Sequence, residues 1–194
     1  MSKQETTDYR AYRDTFTKKA QQIVQKLSLE EKIYLMSGLR TMEEVRKSIQ
    51  KKVNTHYNEV PYRAGGIDGK VPAVLFADGT RGVVCGRKTY TCFPVEAMRG
   101  ASFDPMLEKE IGEAIGAEVL LAGANLFGGV CVNLPYHPGW GRAQETFGED
   151  PYLLGEMGAA LVEGVQTTGV IACVKHFAFN SIVNARFEVD ITCD

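Results

Sequence analysis

The chain has 194 residues, a formal net charge of −2 and 44% hydrophobic residues, which describes a soluble globular protein large enough to bury one sizeable core. Lys and Arg are scattered without a basic run, so nucleic acid finds no electrostatic footprint, and no apolar run approaches the ~20 residues of a membrane-spanning helix. Five cysteines without CxxC spacing and three widely separated histidines speak against a disulfide framework and against a zinc site.

Met1 to Gln25 is polar and charged and lacks the apolar core of a signal peptide. The sequence therefore reads as cytoplasmic, with Cys85, Cys92, Cys131, Cys173 and Cys193 expected as reduced, mostly buried thiols. Residues 1–56 read as a helical segment. Ser28 to Glu31 fits a capping box, and Leu29, Ile33 and Met36 follow as an apolar stripe that Gly38 ends. Thr41 to Glu44 repeats the start signal for a second helix that frays near Val53. Tyr57 to Lys70, with Pro61, Gly65, Gly66 and Gly69, reads as an irregular connection.

From Val71 the texture changes to a β–α alternation. Val74 to Ala77 is a short apolar run ending at Asp78-Gly79, and Cys92 to Pro94 is a shorter one. Asp104 and Pro105 open a helix that runs through Ile111 and Val119 toward Gly123. Val130 to Leu134 is the next strand-like run, ending in a polar loop from His137 to Asp150. Pro151 opens a second helix through Val165, Gly169 closes it, and Val170 to Val174 ends at Lys175-His176. Continuous rather than alternating apolar runs are the mark of parallel strands buried on both faces.

Polar residues sit where these strands end. Asp78, Arg142, Lys175 and His176 lie at or beyond strand C-termini, the end where parallel α/β barrels assemble ligand sites from several loops. A carboxylate with Arg, Lys and His suits a neutral, hydroxyl-rich ligand. The same set would also suit a phosphate, but Gly65 to Lys70 lacks the spacing of a phosphate loop, and no GxSxG elbow supplies a serine nucleophile. Local explanations compete at each position. Asp78 before Gly79 is a turn former, Arg142 and Glu145 suit a loop-stabilising ion pair, His176 suits a satisfied strand end, and Glu149-Asp150 offset a helix dipole. Lys175, directly after an apolar run, needs a partner wherever it is buried.

Ala77-Asp78-Gly79-Thr80-Arg81-Gly82, Phe93-Pro94, the segment from Asn133 through Gly141-Arg142-Ala143-Gln144-Glu145-Thr146-Phe147-Gly148-Glu149-Asp150-Pro151, and Lys175-His176-Phe177-Ala178-Phe179-Asn180 stand in the order found in glycoside hydrolase family 3. From about Leu27 to Asp194 the chain resembles that family, and the GRxxExxxEDP signature resembles its β-glucosidase branch.

The resemblance implies an α/β fold: a partial TIM-type (β/α) barrel of about the first four βα units, occupying residues 57–194 and truncated at its C-terminus. It implies a β-glucoside or short β-linked oligosaccharide as ligand, gripped by Asp78, Arg142, Lys175 and His176, with Glu145 orienting Arg142 or Lys175 from behind. No cofactor and no metal are implied. Two positions depart from the family pattern: Val84 stands where an Arg is frequent, and Tyr136 stands where NxxRxP has its Arg.

Family members place an Asp nucleophile in a downstream SDW-like segment and the acid/base in a further domain. Asp190 and Asp194 match neither, so the expectation is a chain that holds the sugar-binding residues, has no catalytic residue and is inactive alone. A half-barrel with an open parallel edge is also expected to self-associate or pair with another polypeptide, the alternative being a non-catalytic sugar-binding module.

Overall fold

The structure is a computed structural model that describes residues 9–37, 43, 46–47, 62–86, 88–184, 186 and 188–192. Two compact units divide the chain: residues 1–41 with 64–73, and residues 42–63 with 74–194.

In the first unit, helix α1 spans Tyr9–Gln25 and helix α2 spans Leu29–Leu35. The capping box forms as expected. Ser28 Oγ accepts from the Glu31 N–H (3.1 Å), and Glu31 Oε2 accepts from the Ser28 N–H (2.9 Å), so two orphan donors are satisfied reciprocally. Lys70 reaches back to Glu31, and their hydrogen bond holds that carboxyl below its ordinary range. The apolar stripe of Leu29, Ile33 and Met36 is exposed rather than buried. The expected stop at Gly38 and the second helix of Thr41 to Val53 lie outside the described residues.

Four strands form one sheet in the order β1 (Tyr62–Ala64), β2 (Val74–Ala77), β3 (Leu126–Cys131), β4 (Ile171–Lys175). β2, β3 and β4 are parallel neighbours, the start of the expected barrel. Helix α3 (Glu96–Gly100) and helix α4 (Pro105–Leu121) connect β2 to β3, and helix α5 (Pro151–Thr167) connects β3 to β4. Asp104 caps α4 by accepting from the Met106 and Leu107 N–H groups, and Asp150 caps α5 by accepting from Leu153. Both helices then start on a proline, whose missing N–H costs nothing in the first turn.

α4 and α5 pack through glycines. A Cβ at Gly112 would stand 2.8 Å from the Leu161 carbonyl oxygen, and one at Gly164 would overlap the Lys109 carbonyl. Around this seam lies the core, with Ile115, Val119, Phe127, Val130, Met157, Leu161 and Val165 buried together.

Several expected boundaries shift. β3 begins four residues before Val130 and runs through Gly128 and Gly129. Glycine usually weakens a strand, but here a Cβ at Gly128 would meet the Phe76 ring at 2.5 Å, so any larger residue would have to displace that ring. Cys92 to Pro94 is irregular: Phe93 N–H donates to the Arg81 carbonyl (2.8 Å), and Pro94 has no N–H to continue a ladder. β1 and α3 arise where no element was expected. Burial on both faces holds for β3 but not for β4, which is last in the sheet order and exposes Ile171, Cys173 and Val174. Of the four described cysteines, all free, Cys85 and Cys131 are buried while Cys92 and Cys173 are exposed. Cys193 lies outside the described residues.

Candidate functional site

The four sequence-predicted residues form two linked pairs at the C-terminal ends of the parallel strands. Asp78 directly follows β2, and its carboxylate accepts from Lys175 Nζ at the end of β4 (3.0 Å) and from the Gly79 N–H (2.8 Å). The side chains of Lys175 and Asp78 are only 17% and 18% exposed, so the lysine has found the partner its position demanded. The register brings this about. Phe127 pairs with Ala172 but Val130 pairs with Val174, one residue out of step across Gly128-Gly129, and Cys131 then lies beside Lys175.

The second pair joins Arg142, on the loop after β3, to His176, with Glu145 of the same loop holding the arginine. Arg142 Nε donates to Glu145 Oε1 (2.8 Å) and Nη2 to Oε2 (2.6 Å), a bidentate clamp that fixes the guanidinium plane. The hydrogen bond to Glu145 raises the Arg142 pKa further. Glu145 therefore orients Arg142; its carboxylate does not go to Lys175. Arg142 Nη1 also contacts His176 Nε2 at 3.2 Å. Since guanidinium only donates, Nε2 must accept, which places the neutral ring's proton on Nδ1. Burial, with the cations Arg142 and Lys175 nearby, lowers the His176 pKa to about 4. The Nδ1 atom is buried and finds no partner among the described residues. The peptide bond between Lys175 and His176 is cis.

Backbone contacts hold these loops in place. The Asp78 carbonyl accepts from the Val84 N–H (2.7 Å), closing the turn that carries Asp78. Gly79 has φ 123°, and a Cβ there would overlap the Gly82 carbonyl oxygen, so no L-side chain replaces it without strain. Buried Asn133, just past β3, donates to Ser181 Oγ (3.2 Å) and the Leu134 carbonyl (3.1 Å) and accepts from the Asn180 N–H (3.0 Å). One amide thus ties the β3 loop to the segment after His176. The two departures lie at the surface: the Val84 side chain is exposed, and exposed Tyr136 packs against Phe179. Arg81, near Val84, donates to the Phe93 carbonyl (3.3 Å).

Sequence reasoning missed a buried charge cluster behind the site. Arg99 on α3 is 4% exposed and lies between Glu96 (0%) and Glu108 (1%), with each ion-pair contact at 3.2 Å. Burial raises the Glu96 pKa well above its ordinary value, and burial raises that of Glu108 to about 7, each against the pull of Arg99. One cation faces two carboxylates, so a proton retained on a carboxyl relieves the excess negative charge. No group of His, Cys, Asp and Glu able to hold a metal ion occurs among the described residues, and no helix among them is long and apolar enough to cross a membrane.

The family model described as "Glycosyl hydrolase family 3 N terminal domain" matches residues 15–192, and the chain belongs to that family. Thermostable beta-glucosidase B of Acetivibrio thermocellus is 32% identical over 183 residues, covering 89% of this chain and 22% of that protein. Beta-glucosidase B of Emericella nidulans is 33% identical over 172 residues, covering 87% and 18% respectively. Among solved structures, beta-glucosidase 3B from Thermotoga neapolitana in complex with alpha-D-glucose matches with TM-score 0.70 and 31% identity, over 84% of this chain and 24% of that one. DesR, a beta-glucosidase from Streptomyces venezuelae in complex with D-glucose, matches with TM-score 0.74 and 25% identity, over 87% and 20%. The chain spans less than a quarter of the length of each of these four proteins.

Proposed function

We propose that this chain forms the sugar-gripping part of a retaining β-glucosidase, and that Asp78, Arg142, Lys175 and His176 hold the terminal glucose of a β-glucoside or short β-linked oligosaccharide. The observation that carries the reading is the linked arrangement of Asp78 with Lys175 and of Arg142 with His176, delivered by three strand-end loops. The Asp78 carboxylate would accept from sugar O–H groups. Lys175 and Arg142 donate, and the Nδ1–H of His176 supplies a neutral donor. A site whose cations are already paired with carboxylates and whose His is neutral suits hydroxyl groups better than an anion, which would be drawn to cations not paired with Asp78 and Glu145.

Binding and bond cleavage divide here. A retaining mechanism uses two carboxyl groups ~5–5.5 Å apart, one as nucleophile and one as acid/base. Asp78 is tied to Lys175, and Glu145 is clamped by Arg142, which supports a holding role for both. The chain alone is therefore proposed to bind glucose without turning over a glucoside. Glucose should raise the melting temperature of the purified chain while inorganic phosphate leaves it unchanged, and an aryl β-glucoside should not be cleaved. Stabilisation by phosphate and indifference to glucose would replace this reading with an anion site; turnover would overturn the division of labour.

The exposed Ile171 and Val174 on β4 further support pairing of that edge, with a second copy as the expected occupant. Sedimentation should then depend on concentration, and a monomer at all concentrations would contradict it.

A further inference from the structure

The guanidinium of Arg99 makes one well-aligned hydrogen bond, and it goes to a site loop. Nη2 donates to the Thr80 carbonyl (3.0 Å), two residues beyond Asp78 in the turn closed by Val84. Its contacts with Glu96 and Glu108 are at ion-pair distance without hydrogen-bond alignment. The carboxylates thus hold the charge in place and leave the directional donor for Thr80. The other face of the guanidinium covers the Phe147 ring, 5.6 Å from its centroid. Phe147 is buried two residues beyond Glu145, on the loop that carries Arg142. The backbone supports the same junction: a Cβ on Gly100, the next residue, would overlap the Phe147 carbonyl.

We propose that Arg99 is a positioning residue that locks the Asp78 turn and the Arg142–Glu145 loop into one geometry, through the Thr80 carbonyl on one side and the Phe147 ring on the other. A fully buried cation is costly unless paired, and a lysine would serve for charge alone. Arginine's planar fork allows a directional bond in its plane and a ring against its face at the same time. The inference rests on the sugar-binding reading for its functional consequence but not for its structural content.

The test compares Arg99→Lys, which keeps the charge, with Arg99→Met in the full chain. Amide hydrogen exchange is read at Gly79, Val84 and Glu145, whose N–H groups donate within the two loops, and at Val119 and Val165 in the helical core. Arg99→Lys should speed exchange at the loop amides at least tenfold and leave the core amides unchanged. Glucose affinity should fall about tenfold in Arg99→Lys, a smaller loss than Asp78→Asn causes, because the carboxylate is displaced rather than removed. Uniform acceleration of all amides, or unchanged loops, overturns the proposal. If the parent chain ignores glucose while the loops still loosen, the positioning role stands and the sugar reading falls. Should Arg99→Met fail to fold, Arg99→Lys with Glu108→Gln as a second variant carries the test.

Discussion

Replacing Gly164 by alanine should destabilise the chain, although the same change elsewhere in its helix should stabilise it. In an exposed helix interior Gly→Ala gains about 0.8–1 kcal/mol from backbone entropy alone. Gly155 on α5 tests that term cleanly, because a Cβ there meets nothing within 4 Å. At Gly164 the Cβ would overlap the Lys109 carbonyl oxygen and stand 2.9 Å from both Glu113 N and Gly112 Cα. These are backbone atoms of α4, so no side-chain rotation relieves the clash, and the helices must part by about 1 Å to restore ordinary contact. Overpacking of this kind costs about 1–3 kcal/mol, with further loss as Ile115, Leu161 and Val165 separate. The two alanine variants should therefore differ by about 2–3 kcal/mol. In a domain of this size that separates their melting temperatures by roughly 5–10 °C, Gly155→Ala above the parent and Gly164→Ala below it. Urea unfolding with unchanged m-values checks that the difference is one of stability. Equal shifts for the two variants would refute the glycine-seam account of how α4 and α5 position β3 and β4.

Lys175→Met leaves the carboxylate of Asp78 partly buried without its cation and should cost about 1–3 kcal/mol, most of it recovered in the Lys175→Met/Asp78→Asn double variant; a chemical-denaturation cycle reads the coupling. Asp150→Ala removes the cap of α5 and should cost about 1 kcal/mol by the same assay. Glu108 has a folded-state pKa of about 7 against an ordinary 4.5, so between those values the folded chain keeps a proton that the unfolded chain releases, and this group's contribution to stability is lost as pH rises through that window. His176, lowered from 6.5 to about 4, acts in the opposite sense, its contribution being lost as pH falls below 6.5. Glu108→Gln should thus gain on the parent steadily from pH 4.5 to 7 in parallel melts, whereas a pH-independent difference would show that Glu108 does not titrate there.

Local physics was legible in the sequence wherever a residue acts on its own neighbourhood. Ser28 with Glu31, Asp104 with Pro105 and Asp150 with Pro151 announce helix starts through bonds that span two or three residues. The ends of β2 and β4 were legible too, because an apolar run gives way abruptly to Asp78 or Lys175-His176. Long-range pairing was not. Asp78 and Lys175 are 97 residues apart, and nothing local tells which cation meets which carboxylate or that Glu145 goes to Arg142. Gly128 and Gly129 hid the start of β3, since a Cβ at Gly128 meets the ring of Phe76 on another strand and one at Gly129 meets the Gly79 carbonyl oxygen, both distant in the chain. The Arg99 cluster stayed invisible for the same reason: Glu96, Arg99 and Glu108 look like an ordinary charged helical surface until the fold turns them inward.

The most direct test of the shared sugar site is a titration of the isotope-labelled chain with glucose, followed by NMR at the Gly79 amide, Arg142 Nε–H, the Lys175 side chain and the His176 ring. All four reporters should move together along one binding curve, and Asp78→Asn should abolish the movement at all of them. Shifts confined to one reporter, or separate curves for Asp78–Lys175 and Arg142–His176, would mean that these side chains do not surround a common ligand.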